Sequence, residues 1–365
     1  MKVVLLDRDD PHSRYLSRFW TAFSVRSGMF TTIERVRREH PAGSISYFHP
    51  DAAYETLAAA MLGVSPARTT AGVQGAAGPD TIAKHFDIVI PSEQVAAPAL
   101  IGALGQTIAD DFAKEVGALR ATAMDAGSLT IVGDRKDVSV HASAEILPGS
   151  VLDAREGPIV IGADAKISPF TYIRGPAVIG TGAYVDNCRI VGPVVIGTKC
   201  RVGGEVEASI VGDFSNKHHE GFLGHSIVGR WVNIGAMSTT SDLKNNYGSV
   251  NLTVPQTFFG LPGEIANAST GRLKFGSVIS DCVKIGICMR MTTGSVIDAG
   301  SCLFDAGIPK YTPMFSWGDV RARYKLDRFI QDCTTIFARR RETVTPEFIN
   351  MATFLSKGQP DEPLR

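Results

Sequence analysis

The sequence predicts a mainly β protein: a left-handed parallel β-helix with a small N-terminal α/β domain and a C-terminal helix. Three observations predict it. Aliphatic residues recur every six positions: Ile161, Ile167, Ile173, Ile179 and Val185, then Ile190, Ile196 and Val202 after a slip of one, and later Ile279, Ile285, Met291, Ile297 and Leu303. At or near these positions an aliphatic residue is followed by glycine, as in Ile161-Gly162, Ile179-Gly180, Ile196-Gly197, Val228-Gly229, Ile234-Gly235 and Ile285-Gly286. The segments before and after the repeat show helical spacing instead.

A period of six matches neither the 3.6 of an α-helix nor the 2 of a half-buried strand. It matches a coil with flat sides, each a short strand that points one aliphatic side chain inward. The following glycine takes the corner, where positive φ or close backbone approach is needed. Three sides close a coil, and stacked coils share one apolar column. The repeat defines a domain over 126–318. It lapses from Ser238 to Lys274, a polar stretch with Gly and Pro interspersed, which is expected to be a coil interruption or a long projecting loop.

The flanking elements follow in order. Within 1–125, MKVVLLD and HFDIVIP read as strands, 31–39, 51–62, 95–104 and 108–125 as helices, and Arg68 to Asp80 as a flexible connection. Within 319–365 a helix is expected from Asp319 to Arg341. Leu326, Phe329, Ile330, Cys333 and Phe337 form its apolar stripe, and Arg339-Arg340-Arg341 lies in its last turn, where cations complement the helix dipole and can meet an anion.

Composition narrows the function. A chain of 365 residues exceeds a single core. Lys+Arg and Asp+Glu are both 37, so the basic field of general nucleic-acid or membrane-surface binders is missing. The six cysteines form no C-x-x-C pair and no metal-ligand spacing with histidine, so they read as small buried side chains and no metal site is expected. The apolar run of MKVVLLDRDD is too short for a signal peptide or a membrane span. The expected location is cytoplasmic.

The chemistry concentrates where the repeat is interrupted. Ser215-Asn216-Lys217-His218-His219-Glu220-Gly221-Phe222-Leu223-Gly224-His225 holds three of the eight histidines. Neutral histidine is a competent general base near pH 7, and acyl transfer from a thioester needs such a base together with a donor for the developing oxyanion. Lys217 can hold a phosphate or carboxylate. Glu205 and Glu207 can orient an imidazole or a sugar hydroxyl. Asn233 follows one coil later, and Ser241-Asp242-Leu243-Lys244-Asn245-Asn246-Tyr247 is dense in donors and acceptors.

The repeat, the Ser215–Gly224 segment and the run Trp231 to Gly248 resemble the acetyltransferase domain of the bifunctional sugar-1-phosphate nucleotidyltransferase/glucosamine-1-phosphate acetyltransferases. They resemble most closely a divergent branch of that group, described as sugar nucleotidyltransferases, which also carries the late motif seen here at 309–318. The resemblance covers roughly 140–340, and 1–40 weakly. It implies a homotrimer with active sites between neighbouring β-helices, and acetyl-CoA or another acyl-CoA as donor. It implies His219 as catalytic base beside His218. Asn216, Asn233 and the basic Arg174 fall with the substrate, although Arg174 stands one coil early. Ala236 lies at the pantetheine arm, with Ser238 and Lys310 toward the donor. Ala208, Phe222 and Gly248 depart from the family's lysine, tyrosine and lysine, which points away from glucosamine-1-phosphate and leaves Lys217, Lys244 or Tyr247, with Asp242 and Asn246, for another acceptor.

The first reading is therefore an acyl-CoA-dependent transferase acting on an amino group of a sugar phosphate, nucleotide sugar or similar small polar acceptor. The second is a sugar-1-phosphate nucleotidyltransferase using residues 1–125 with Mg²⁺, held by Asp7 and Asp9, with Arg26 and Gly28 before the 31–39 helix as an anion site. Against it, no Gly-rich triphosphate loop is present. The third is a trimeric metabolite-binding scaffold without catalysis.

Overall fold

Lys166, Tyr184, Arg201, Asn216, Asn233, Lys284, Cys302 and Trp317 stand in one parallel register, each hydrogen-bonded coil to coil. This ladder is one side of a left-handed parallel β-helix. A second side runs through Val195, Ile210, Ile227, Val278, Val296 and Tyr311. The computed structural model describes residues 1–7, 16, 20–21, 24–73, 77–92, 96–122, 129–255, 265–304 and 307–358.

Every aliphatic residue of the six-residue repeat is buried in the interior column. At roughly 1.5–3 kcal/mol for each fully buried aliphatic side chain, that column contributes heavily to stability. The slip between Val185 and Ile190 is a register shift at Asp186/Cys188. The repeat glycines serve close approach and are not the left-handed residues: a Cβ on Gly180 would lie 2.6 Å from the carbonyl carbon of Gly197 in the next coil. Positive φ falls two residues later, at Asp164, Lys199, Phe214 and Trp231. Such corners are strained for side-chain-bearing residues and are held by the ladder bonds around them.

The stretch from Ser238 to Lys274 is not simply a loop. Thr239–Thr240 pairs with Arg290–Met291 as a coil side, and Asn251–Pro255 forms an antiparallel hairpin with Ile265–Ser269.

In the N-terminal part, Lys2–Leu6, Ser44–Phe48, Ser65–Pro66 and Ile88–Pro91 make a four-stranded parallel sheet. Ser44–Phe48 was not among the expected strands. Thr32–Glu39 begins in a Thr31–Glu34 capping box, and Asp51 caps Ala52–Leu62, which stops at left-handed Gly63. The two helices expected over 95–104 and 108–125 are one, Ala97–Ala121. The Arg68–Asp80 connection is helical at both ends: Ala67–Ala71 is helical and a helix begins at Pro79, while 74–76 lie outside the described residues.

The C-terminal helix starts later than expected. Ser316–Arg323 is a strand that extends the Lys166–Trp317 ladder, and the helix is Leu326–Ala338. A further helix, Pro346–Lys357, bridges the two parts. Its Phe348 meets Trp20 at 5.7 Å and Phe337 at 5.4 Å, and its Phe354 meets Tyr54 at 6.1 Å. Among the described residues no helix is long and apolar enough to cross a membrane.

Candidate active site

The ladder register decides which site residues face outward. Lys217 pairs with Val202 and precedes Ile234 and Ile285 in the same inward column. Its side chain is therefore buried. Its ammonium donates to the carbonyls of Gly203 at 2.9 Å and His219 at 2.5 Å, and burial holds its pKa below the usual lysine range. The expectation that Lys217 holds substrate is corrected: the column turns it inward, where it fixes the backbone of the His219 corner.

His218 and His219 follow at that corner. The coil before them carries Gly203-Gly204 and the coil after them Gly235-Ala236. Side chains above and below are thus almost absent, and a cleft of about 310 Å³ opens, lined by Arg201, Asn216, His218, His219, Asn233, Gly235, Ala236 and Ile287. His219 is exposed in it. Across the bare Gly203, His218 Nε2 lies 3.0 Å from Asp186 Oδ2, close enough for ion pairing but without hydrogen-bond alignment. Asn216 and Asn233 approach side chain to side chain at 3.4 Å.

The remaining expected residues lie elsewhere. Ala236 lines the cleft, but Ser238 is buried: its hydroxyl donates to Gly286 O at 2.7 Å and accepts from Met289 N at 3.0 Å. Glu205 pairs with Arg189 and lines a separate surface cleft with Tyr172 and Glu220. Arg174 pairs with Glu156 at 3.1 Å. Asp242 joins His225 Nδ1 at 2.7 Å, and that bond holds its carboxyl below the ordinary range. Lys244 donates to Ser249 O at 2.5 Å, Asn246 accepts from Gly248 N at 3.1 Å, and Tyr247 is exposed at a left-handed corner. Lys310 donates to the carbonyl of Thr293. The 241–247 run braces itself and the start of the hairpin, and does not line the His219 cleft.

The anion and metal expectations of the first domain also change. Arg26 donates to Met29 O and pairs with Glu34 and, at 3.5 Å, with Asp213 of the β-helix. A Cβ on Gly28 would strike Asp111 at 2.4 Å. This corner is a clasp between the two parts of the chain, with its cation already paired. Asp7 is buried and accepts from Tyr47 OH at 3.0 Å, and Asp9 lies outside the described residues. Among the described residues no group of three metal-capable side chains gathers.

Sequence reasoning missed Arg201, Lys284 and Asp186. Arg201 and Lys284 immediately precede inward Val202 and Ile285, so the six-residue frame contained the signal. The insertion between Ile234 and Ile285 hid how the coils align.

Comparison with known proteins places this arrangement. The bifunctional protein GlmU of Marinobacter nauticus is 28% identical over 161 residues, covering 43% of this chain and 30% of that protein. GlmU of Picosynechococcus is 32% identical over 158 residues, covering 43% and 28%. Over that stretch the chain is similar to the GlmU proteins. It spans less than a third of the length of these two proteins. No family model matches it. Among solved structures, PerB from Caulobacter crescentus with CoA and GDP-perosamine aligns over 84% of this chain and 90% of that one, at 12% identity and a TM-score of 0.18, a likeness that carries no argument about fold or ligand.

Proposed function

We propose that the protein is an acyl-CoA-dependent N-acyltransferase, acetyl-CoA being the donor, that acts on an amino group of a sugar phosphate, nucleotide sugar or similar small polar acceptor. The observation that carries the reading is His219: an exposed imidazole at a corner cleared by Gly203-Gly204 and Gly235-Ala236, with its peptide held by the buried Lys217.

In this reading the acceptor amine attacks the thioester carbonyl. The C–N bond forms, the amine proton passes to the His219 imidazole, and the C–S bond breaks as the thiolate leaves and takes that proton. Asn233, which lines the same cleft, supplies an amide donor to the developing oxyanion. Ala236 and Gly235 leave room for the donor's arm. Following the family resemblance, the assembly is a homotrimer with the cleft at a subunit boundary.

The test is thiol release from acetyl-CoA with a panel of amino sugars carrying phosphate or nucleoside diphosphate. His219→Ala is expected to lose on the order of 10²-fold or more in kcat/KM, the range for a general base, while acetyl-CoA binding measured by calorimetry stays within a few-fold. Full activity in His219→Ala would sink the mechanism.

A further inference from the structure

Beside the His219 cleft, and sharing Arg201, Asn216 and Asn233 with it as lining, lies a larger cavity of about 500 Å³. That volume is within the range of about 300–1,000 Å³ for small-molecule sites. Its floor is the ladder Arg201, Asn216, Asn233 and Lys284; its roof is the end of the Leu326–Ala338 helix and the turn after it, with Arg339 and Arg340.

Four cations line this cavity and no carboxylate does. Among the described residues, Arg201 and Arg339 have no ion pair. Lys284 Nζ is buried without a hydrogen-bond partner and faces the Tyr324 and Phe329 rings at 5.2 and 5.5 Å. Among the described residues, the Arg340 guanidinium donates only to Asn216 Oδ1, at 2.5 Å. The nearby acids are engaged elsewhere: Asp213 with Arg26 and Arg230, Glu342 with Lys199, and Asp332 with Arg328 and Tyr324. Burial, with Arg201 and Arg339 alongside, lowers the Arg340 pKa from its ordinary value. Like charges gathered around a half-enclosed space repel, and an anion with several oxygens relieves that repulsion through charge-assisted hydrogen bonds, for which guanidinium is well shaped.

We propose that this cavity binds the phosphate or diphosphate group of the ligand whose reactive end lies at His219. Two ligands of the acyl-transfer reading carry that chemistry, the acyl-CoA donor and a phosphorylated acceptor. The link to His219 rests on that reading, whereas the anion site itself does not.

The test titrates the full chain with inorganic pyrophosphate by calorimetry. Saturable binding is expected near one per chain, weakened at least tenfold in Arg339→Gln/Arg340→Gln and at least severalfold in Arg201→Gln, whose exposed position spares the fold. His219→Ala is expected to bind pyrophosphate as the parent does. Displacement of pyrophosphate by CoA assigns the site to the donor, and displacement by a nucleoside diphosphate assigns it to the acceptor; displacement by neither overturns the link to the His219 ligand. Absence of pyrophosphate binding, or binding unchanged in the double variant and in Arg201→Gln, overturns the site. If pyrophosphate binds as expected but no amine is acylated, the anion site stands and the transferase reading fails.

Discussion

Lys217 occupies a place that the neighbouring coils give to Val202, Ile234 and Ile285. From the sequence it reads as a polar member of a polar segment. The spacing hides its true place: Val202 and Lys217 are aligned although fifteen apart, a shortened coil, while Lys217 and Ile234 are seventeen apart. A buried ammonium is costly unless satisfied, and here two carbonyls satisfy it. Lys217→Met removes a buried charge but leaves those carbonyls unpaired, at about 1–3 kcal/mol for each buried polar group left unsatisfied. The opposing effects predict a folded protein whose stability changes by less than about 2 kcal/mol. Turnover is expected to drop about tenfold because the His219 peptide loses its anchor, with the acetyl-CoA dissociation constant unchanged. Equal kcat in the variant would remove the positioning role. The pH dependence has a definite sign. A lysine whose folded pKa is depressed penalises folding below that pKa, and the penalty is relieved as pH rises toward the unfolded value. The parent should therefore gain stability relative to Lys217→Met on the alkaline side, approaching pH 10.5, and not on the acid side.

The elements around the coil were legible to different degrees, for physical reasons. The apolar stripe of the Leu326–Ala338 helix was plain because Phe329, Cys333 and Phe337 recur at helical spacing and are all buried. Its start was misplaced because Ser316–Arg323 carries on the strand ladder through Trp317, a pairing that depends on the coil beneath. The hairpin went unread although Val250, Leu252 and Val254 alternate with polar residues and are buried; the Gly and Pro around them drew attention to turns. What no pattern announced is the seat of the helix. Trp231, at a left-handed corner, lies between Phe214 at 4.4 Å and Phe337 at 3.8 Å, nearly parallel to both. Phe337→Ala removes one slice of that stack and leaves a cavity, a change that costs about 3–5 kcal/mol. The denaturant midpoint should fall accordingly. Pyrophosphate binding should weaken as well, because Arg339 and Arg340 follow directly on this helix. An unshifted midpoint would show that the helix is held mainly through Phe348 instead.

At the scale of the molecule, the corner that carries His219 also carries exposed apolar side chains on other coils. Phe170, Met237 and Ile287 are 79%, 61% and 69% exposed. Scattered exposed apolar residues are ordinary, but these share one corner region of the β-helix, and Ile287 also lines the His219 cleft. Covered by a neighbouring copy, they would leave water and close the open side of the cleft. A closed three-fold assembly uses the same surface on every chain. The expected outcome of sedimentation at micromolar concentration is the mass of three chains. Phe170→Glu, four coils from Met237 and absent from the lining of the His219 cleft, should shift the distribution toward single chains and, if a neighbour completes the cleft, should lower acyl transfer in parallel. A parent protein that sediments as one chain would exclude the trimer. A dissociated Phe170→Glu variant with full activity would confine the chemistry to residues of one chain.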